Sequence, residues 1–120
     1  MMTHKQLETY ILSKPNARLD YPFGEDVAVY KAADKMFALI SEKSKPVRIS
    51  LKCDPQLAEV LREKYESIMP GYHLNKKHWN TIVCTGQLSL EEIYGLIDHS
   101  YQLVTGAAVR KVKIDELAVD

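Results

Sequence analysis

The amino-acid sequence predicts an α+β fold in two layers, a mostly antiparallel five-stranded sheet with helices packed on one face. Segments with helical and with strand periodicity follow in the order α-β-β-β-α-β-β-α, whereas parallel α/β folds alternate single strands and helices. Segment Pro46–Lys52 alternates between apolar and polar side chains, which is typical of a sheet covered on one side only.

The first helix is predicted over Thr3–Ser13. Thr3 and Gln6 fit a capping box, and an apolar stripe follows at helical spacing. Pro15 disfavours helix at the residue before it, so the helix ends there. We interpret Pro15–Asp26 as a loop whose aromatic side chains tuck into the edge of the core.

Five strands are predicted from β-branched and aromatic content, at Val27–Lys31, Lys35–Ser41, Pro46–Lys52, Ile68–Tyr72 and Trp79–Cys84. The fourth contains Pro70 and Gly71, so it can only be an edge strand or a bend. In the third, Arg48, Ser50 and Lys52 all point away from the apolar side. We therefore expect the face without helices to be wet and basic.

The second helix is predicted over Pro55–Glu66, with Asp54 as N-cap and Pro55 at the first helical position. The third helix is predicted over Leu90–Thr105, since a capping box begins at Ser89 and a glycine follows the last apolar position.

A chain of 120 residues is too short for two independent cores, so we interpret residues 1–106 as a single domain. Residues 107–120 form a C-terminal extension, for which strand, helix and frayed tail all remain open.

Composition excludes several classes of protein. Sixteen basic and sixteen acidic side chains give zero net charge, which excludes a polycation that binds nucleic acid by bulk charge alone. Apolar runs fall far short of the roughly 20 residues that span a bilayer, and the N-terminus lacks a signal-peptide core. Cys53 and Cys84 form no CxxC motif, so we expect reduced thiols in a cytoplasmic protein.

The charge is nevertheless uneven. Residues 27–84 hold ten basic and six acidic side chains, a net charge of +4, while both flanking regions are acidic. Within this region, Gly71–Thr81 combines two His, two Lys, two Asn, a Tyr and a Trp. Such a mixture suits phosphates, hydrogen-bonding groups and base stacking. The alternative is a solvated connector in which Trp79 anchors the following strand to the core.

Catalytic and metal sites find little support in the sequence. His73 and His78 have a zinc-compatible spacing, but no paired cysteines precede them. Cys53 lies just before a helix N-terminus, where a thiolate is favoured, yet no glycine elbow or oxyanion loop surrounds it. Neither a P-loop nor a GxGxxG motif occurs. We therefore predict a protein that is not an enzyme and has no cofactor and no metal.

Several motifs resemble the MmcQ/YjbR family in order and spacing. They are Tyr21–Asp26, Lys35–Ile40, Ser50–Pro55, Gly71–Thr81 and Ile97–Tyr101. The resemblance covers about residues 3–105, and the block His73-Leu74-Asn75-Lys76-x-His78-Trp79 is its most specific part. It implies the YjbR-like fold, which is grouped with CyaY-like folds and secretion chaperones.

The resemblance also implies DNA binding through a double-wing motif. Carried over residue by residue, the nucleic-acid-binding positions are Arg48, Lys52, His73, Asn75, Lys76, Lys77, His78 and Trp79. We therefore predict a cytoplasmic monomer, without a membrane partner, that contacts DNA phosphates through the basic sheet face and the 73–79 segment. The alternative is a protein–protein adaptor of secretion-chaperone-like fold; a small-molecule or metal-binding protein, or an enzyme without a recognisable motif, ranks third.

Overall fold

The computed structural model describes residues 2–106 and contains three helices and six strands in that range. In chain order they are α1 (His4–Leu12), β1 (Arg18–Asp20), β2 (Val27–Ala32), β3 (Lys35–Ser41), β4 (Arg48–Lys52), α2 (Pro55–Lys64), β5 (Ile68–Pro70), β6 (Trp79–Val83) and α3 (Leu90–Thr105). The predicted extension at residues 107–120 lies outside the described residues, and the domain boundary at residue 106 stays a prediction.

The strands form one sheet in the order β1-β2-β3-β4-β6-β5, and every neighbouring pair is antiparallel. The α+β class is confirmed, but the prediction of five strands is wrong. The sixth strand is β1, where a loop was predicted. It has only three residues, all exposed, so no alternation marks it in the sequence. Pairing with β2, in which Leu19 lies opposite Tyr30, defines it as a strand. β5 lies at the other edge, as its proline predicted.

The helix ends follow their caps. The Thr3 and Ser89 hydroxyls each accept from the backbone N–H three residues later, and both capping boxes are complete. Gly106 ends α3 with a left-handed φ of 69°. α2 ends at Lys64, two residues earlier than predicted, because Tyr65 adopts an extended backbone. None of the described helices is long and apolar enough to cross a membrane.

The main core lies between the helices and one face of the sheet. It contains Leu7 and Ile11 of α1, Leu61 of α2, and Ile93 and Ile97 of α3, each at most 1% exposed. These side chains pack against the sheet residues Ala28, Tyr30, Ala38, Ile40, Ile49, Leu51 and Ile82. The apolar side of β4, which corresponds to the alternating segment Pro46–Lys52, is therefore buried, as the sequence predicted.

α1 docks on α3 through a polar and aromatic contact. The Tyr10 and Tyr94 rings stack with centroids 3.9 Å apart, and the Tyr10 hydroxyl donates to Asp98 Oδ1 over 2.7 Å. Lys14 forms an ion pair with the same buried carboxylate. The charge of Asp98 is thus compensated inside the helix layer.

A side chain of α3 also forms hydrogen bonds with backbone groups at an irregular point of the sheet. Phe37 is an extra residue between the β2–β3 pairs Tyr30–Ala38 and Lys31–Met36, which is a β-bulge. The fully buried Ser100 hydroxyl donates to the Phe37 carbonyl and accepts from the Lys52 N–H over 3.0 Å. One side chain therefore satisfies two backbone groups that the β3–β4 pairing leaves open.

The face of the sheet without helices, called here the helix-free face, is not uniformly wet, which corrects our expectation. Val29, Leu39 and Trp79 form a second, small core on this face and are at most 8% exposed. Leu74, from the segment between β5 and β6, is partly buried against this core. The sequence could not reveal this cover, because the segment that provides it is largely polar.

Leu61 tests the packing of α2 against the sheet. We expect Leu61→Ala to lower the free energy of unfolding by about 2–5 kcal/mol, because it removes a buried side chain and leaves a cavity. Denaturant titration measures this. The control is Leu103→Ala on the exposed side of α3, expected to change stability by less than about 0.5 kcal/mol. A loss below about 1 kcal/mol for Leu61→Ala would contradict the packing described here.

His99 of α3 gives the fold a pH dependence. Its Nε2 accepts the Asp54 N–H over 3.1 Å, which requires a neutral ring. Burial lowers the pKa of His99, although the Asp54 carboxylate opposes the shift. The unfolded chain therefore takes up the proton first, and stability decreases as the pH falls below about 6.5.

We expect His99→Gln, whose side-chain oxygen can also accept, to lose less stability than the wild type between about pH 7 and pH 5. Denaturant titrations across this range compare the two proteins. Parallel pH profiles would show that His99 makes no such contribution.

Candidate functional site

The segment from Gly71 to Trp79 joins β5 to β6 and is closed at its base. The Gly71 N–H donates to the Trp79 carbonyl over 2.8 Å, and the Lys76 ammonium donates to the Gly71 carbonyl over 2.9 Å. A Cβ at Gly71 would lie 2.6 Å from the Trp79 Cβ, so only glycine fits there. Inside the segment, Asn75 Oδ1 accepts from the N–H groups of Lys77 and His78. Asn75 is thus explained as a turn-forming residue.

Arg62 of α2 anchors this segment from the helix side. Its Nε donates to Asn80 Oδ1 over 2.6 Å, and its Nη2 donates to the carbonyls of Lys76 and Trp79. Asn80 is 3% exposed and also donates to Ala58. Sequence reasoning missed Arg62 and Asn80, because no local pattern distinguishes them from ordinary helix and strand residues.

The predicted nucleic-acid-binding residues lie on two parts of the chain, β4 and the segment between β5 and β6. Arg48 and Lys52 share the helix-free face of β4, about 13 Å apart at the usual rise of about 3.3 Å per residue. His73 is exposed near the Arg48 end, where both line one groove. Lys76 and Lys77 lie farther along the segment, where Arg62 holds the backbone towards α2.

The position of Trp79 agrees with our alternative interpretation, in which this residue anchors the following strand to a core. Its ring is 7% exposed and packs with Val29, Leu39 and Leu74. A base-stacking role would require an exposed ring, so that part of our interpretation is wrong. His78 is half-buried, and its carbonyl accepts the Cys53 N–H over 2.8 Å, which joins the segment to the end of β4.

A groove of about 380 Å³ opens on the helix-free face. Its lining comes from three distant parts of the chain: Phe23 and Val27; Leu39, Ser41, Ser44, Arg48 and Ser50; and Tyr72, His73, Leu74 and Thr81. The second core forms its apolar base. Three serines and one threonine of the lining carry hydroxyls on β3, β4, β6 and the β3–β4 turn, and Tyr72 carries a fifth hydroxyl.

Two aromatic rings of this groove were missed by sequence reasoning. Phe23 is 62% exposed and Tyr72 is 63% exposed, whereas we expected the aromatic side chains near residues 21–24 to tuck into the core. The Gly24 N–H donates to the Tyr21 carbonyl, so Phe23 occupies the middle of a tight turn. This was a usable signal, since the central residues of a turn face solvent. The Tyr72 ring contacts His73, which has a left-handed φ of 58°.

The two cysteines are free and buried. Burial raises the pKa of Cys53 to about 12, with a further contribution from Asp54, and raises the pKa of Cys84 to about 11. Both groups are therefore protonated thiols near neutral pH, and burial outweighs the helix N-terminus that follows Cys53. Across residues 2–106, no group of three or more His, Cys, Asp and Glu side chains is arranged to hold a metal ion.

Comparison with known proteins shows which sequences and structures this chain is similar to. The chain is 38% identical over 101 residues to the Escherichia coli protein YjbR, covering 84% of this chain and 86% of that protein. It is 35% identical over 108 residues to YbdF, also from Escherichia coli, covering 90% and 88% of the two chains.

A crystal structure of the Deinococcus radiodurans protein DR2400 superposes with a TM-score of 0.82 at 37% identity, covering 100% of this chain and 91% of that one. The model of the YjbR family matches residues 12–103, a range that holds the complete sheet, α2 and the whole Gly71–Trp79 segment. The chain therefore belongs to the YjbR family.

Proposed function

We propose that this protein is a non-enzymatic, monomeric cytoplasmic protein that binds nucleic acid through phosphate contacts on its helix-free face and along the 73–79 segment. The observation that carries the proposal is the distribution of cations without an acidic partner. Among the described residues, Lys14, Arg18, Lys31 and Lys43 each form an ion pair with an aspartate. Arg48, Lys52, Lys76 and Lys77 form no ion pair there, as is also true of Lys5, Lys35 and Lys45, and Lys76 uses one of its three N–H bonds to donate to the Gly71 carbonyl. What distinguishes these four cations is their place on β4 and on the 73–79 segment, where they can contact phosphates.

The position of these cations supports one path for a phosphate backbone. Arg48 lies at one end of β4, and Lys52 lies at the other end, opposite Trp79. Lys77 is exposed on the 73–79 segment. The next residue, His78, accepts the Cys53 N–H and so joins the segment to the end of β4. A phosphate backbone that follows β4 would meet Arg48 at the groove and Lys52 at the other end of the strand. With zero net charge on the whole chain, we expect binding that is micromolar or weaker at physiological salt.

The non-enzymatic part of the proposal is supported by the state of the candidate nucleophile. Cys53 is a buried, protonated thiol whose pKa is raised to about 12. The exposed histidine of the segment, His73, contacts the Tyr72 ring. This arrangement provides phosphate and ring contacts rather than an activated nucleophile with its base.

A protein–protein adaptor is the second candidate, favoured by a separate observation. Leu19 and Tyr21, at the exposed edge of the sheet, are 37% and 42% exposed. Exposed apolar side chains at a sheet edge are typical of surfaces that bind another polypeptide. Such binding would depend weakly on salt, which distinguishes it from phosphate binding.

Salt dependence tests the proposed function. With about four phosphate contacts, we expect the logarithm of duplex affinity to fall against the logarithm of salt concentration with a slope of about −3 to −4. Lys76→Ala combined with Lys77→Ala should make the slope shallower by about two and weaken all sequences alike. Fluorescence anisotropy of a labelled DNA duplex measures both proteins.

The matched control is Lys5→Ala combined with Lys35→Ala. It removes the same charge from exposed positions on the helix side, since Lys5 lies on α1 and Lys35 is opposite the core residue Ala32. We expect the wild-type slope for this control. Equal slopes for the two double variants, or no wild-type binding at about 50 mM salt, would contradict the proposal.

A further inference from the structure

We propose that the groove on the helix-free face holds one unpaired nucleobase together with its phosphate, so that the protein prefers single-stranded over double-stranded nucleic acid. The inference rests on the proposed function and adds the form of nucleic acid that the site selects. It follows from three properties of the groove: its aromatic rings, its hydroxyl groups and its unpaired cation.

The aromatic rings are Phe23 and Tyr72. They are the two most exposed large apolar side chains of the described residues, at 62% and 63%. Phe23 is held in the turn that the Gly24–Tyr21 hydrogen bond closes, and the Tyr72 N–H donates to Thr81 Oγ1 of β6 over 3.0 Å. Rings that line a groove and remain open to water can stack on a base. A base can use both of its faces in this way only after it leaves the duplex stack.

The serine and threonine hydroxyls line the groove beside its apolar base. Ser50 Oγ and Thr81 Oγ1 are 2.7 Å apart, and one donates to the other. Thr81 already accepts from Tyr72, so whichever hydroxyl accepts in this pair has a proton without an acceptor among the described residues. Ser44 donates to Ser41 over 2.8 Å, so the Ser41 hydroxyl proton also has no acceptor among the described residues. The groove therefore offers two hydroxyl donors to the polar edge of a base.

The cation is Arg48. Its exposed side chain lines the groove and has no ion-pair partner among residues 2–106. A guanidinium donates to two phosphate oxygens at once, which orients the phosphate as well as attracting it.

The size of the groove sets the occupant. About 380 Å³ is near the lower end of the volumes that hold small ligands, which suits one base and its phosphate. The groove is closed below by Leu39 and Leu74 of the second core. A base inside a duplex presents only its edge in a groove of the double helix, and its flat faces stay stacked.

Competition between strand forms tests the inference. The ligands are a short fluorescent oligothymidylate and a duplex of the same length, both measured by anisotropy at low salt. We expect the wild type to bind the single strand about tenfold more tightly. Phe23→Ala combined with Tyr72→Ala should weaken single-strand binding by roughly tenfold or more and leave duplex binding within about twofold, as lost base stacking requires.

Two control variants separate stacking from folding. Tyr72→Phe keeps the ring, so it should retain more single-strand affinity than the double aromatic variant. Leu12→Ala removes an exposed apolar side chain from the end of α1 and should change neither affinity. Thermal unfolding of every variant, followed by the fluorescence of Trp79, the single tryptophan of the chain, confirms that each is folded.

Each outcome is decisive. If wild type and the double aromatic variant bind the single strand equally, the groove inference is overturned and the proposed phosphate binding stands. If the wild type binds neither strand form, the proposed function itself fails. If a free thymidine monophosphate binds as tightly as the oligonucleotide, the groove is a small-molecule site and the preference for single strands is overturned.

Discussion

The hydrogen bonds of Arg62 are the constraint on which the site depends. This side chain of α2 joins the buried amide of Asn80 to the backbone of the 71–79 segment. A guanidinium has five donors in a fixed plane, so it can hold several acceptors in one arrangement. Within this segment Trp79 lies against Gly71, and Tyr72 lines the groove. A side chain of the helix layer thereby holds the base of a segment whose other residues line the opposite face.

The two faces of the sheet differ in how much apolar surface they bury. The helix side buries the main core and provides most of the apolar burial that stabilises the fold. The helix-free face buries only a small core of Val29, Leu39 and Trp79 and leaves polar and aromatic side chains open around it. Because the larger core stabilises the fold, exposed rings such as Phe23 and Tyr72 are not needed for the stability of the domain. They lie open to solvent, where a ligand can contact them.

Local chemistry explains why much of the fold was predictable. Capping residues such as Thr3, Asp54 and Ser89 define helix starts within a few residues, and the alternation in β4 shows which side faces the helices. β1 was missed because three exposed residues become a strand only through pairing with β2. The groove was missed because it joins residues from three separate parts of the chain. Composition alone could not decide whether Trp79 stacks on a ligand or packs in a core.

Chemical-shift mapping of the ¹⁵N-labelled protein, titrated with a short single-stranded oligonucleotide, tests most directly the claim that the helix-free face is the ligand surface. We expect the shifted amides to cluster at residues 21–27, 39–52 and 71–81, where the groove and the cations Arg48, Lys52, Lys76 and Lys77 lie. Shifts confined to the solvent side of α1 and α3, with those three regions unchanged, would contradict it.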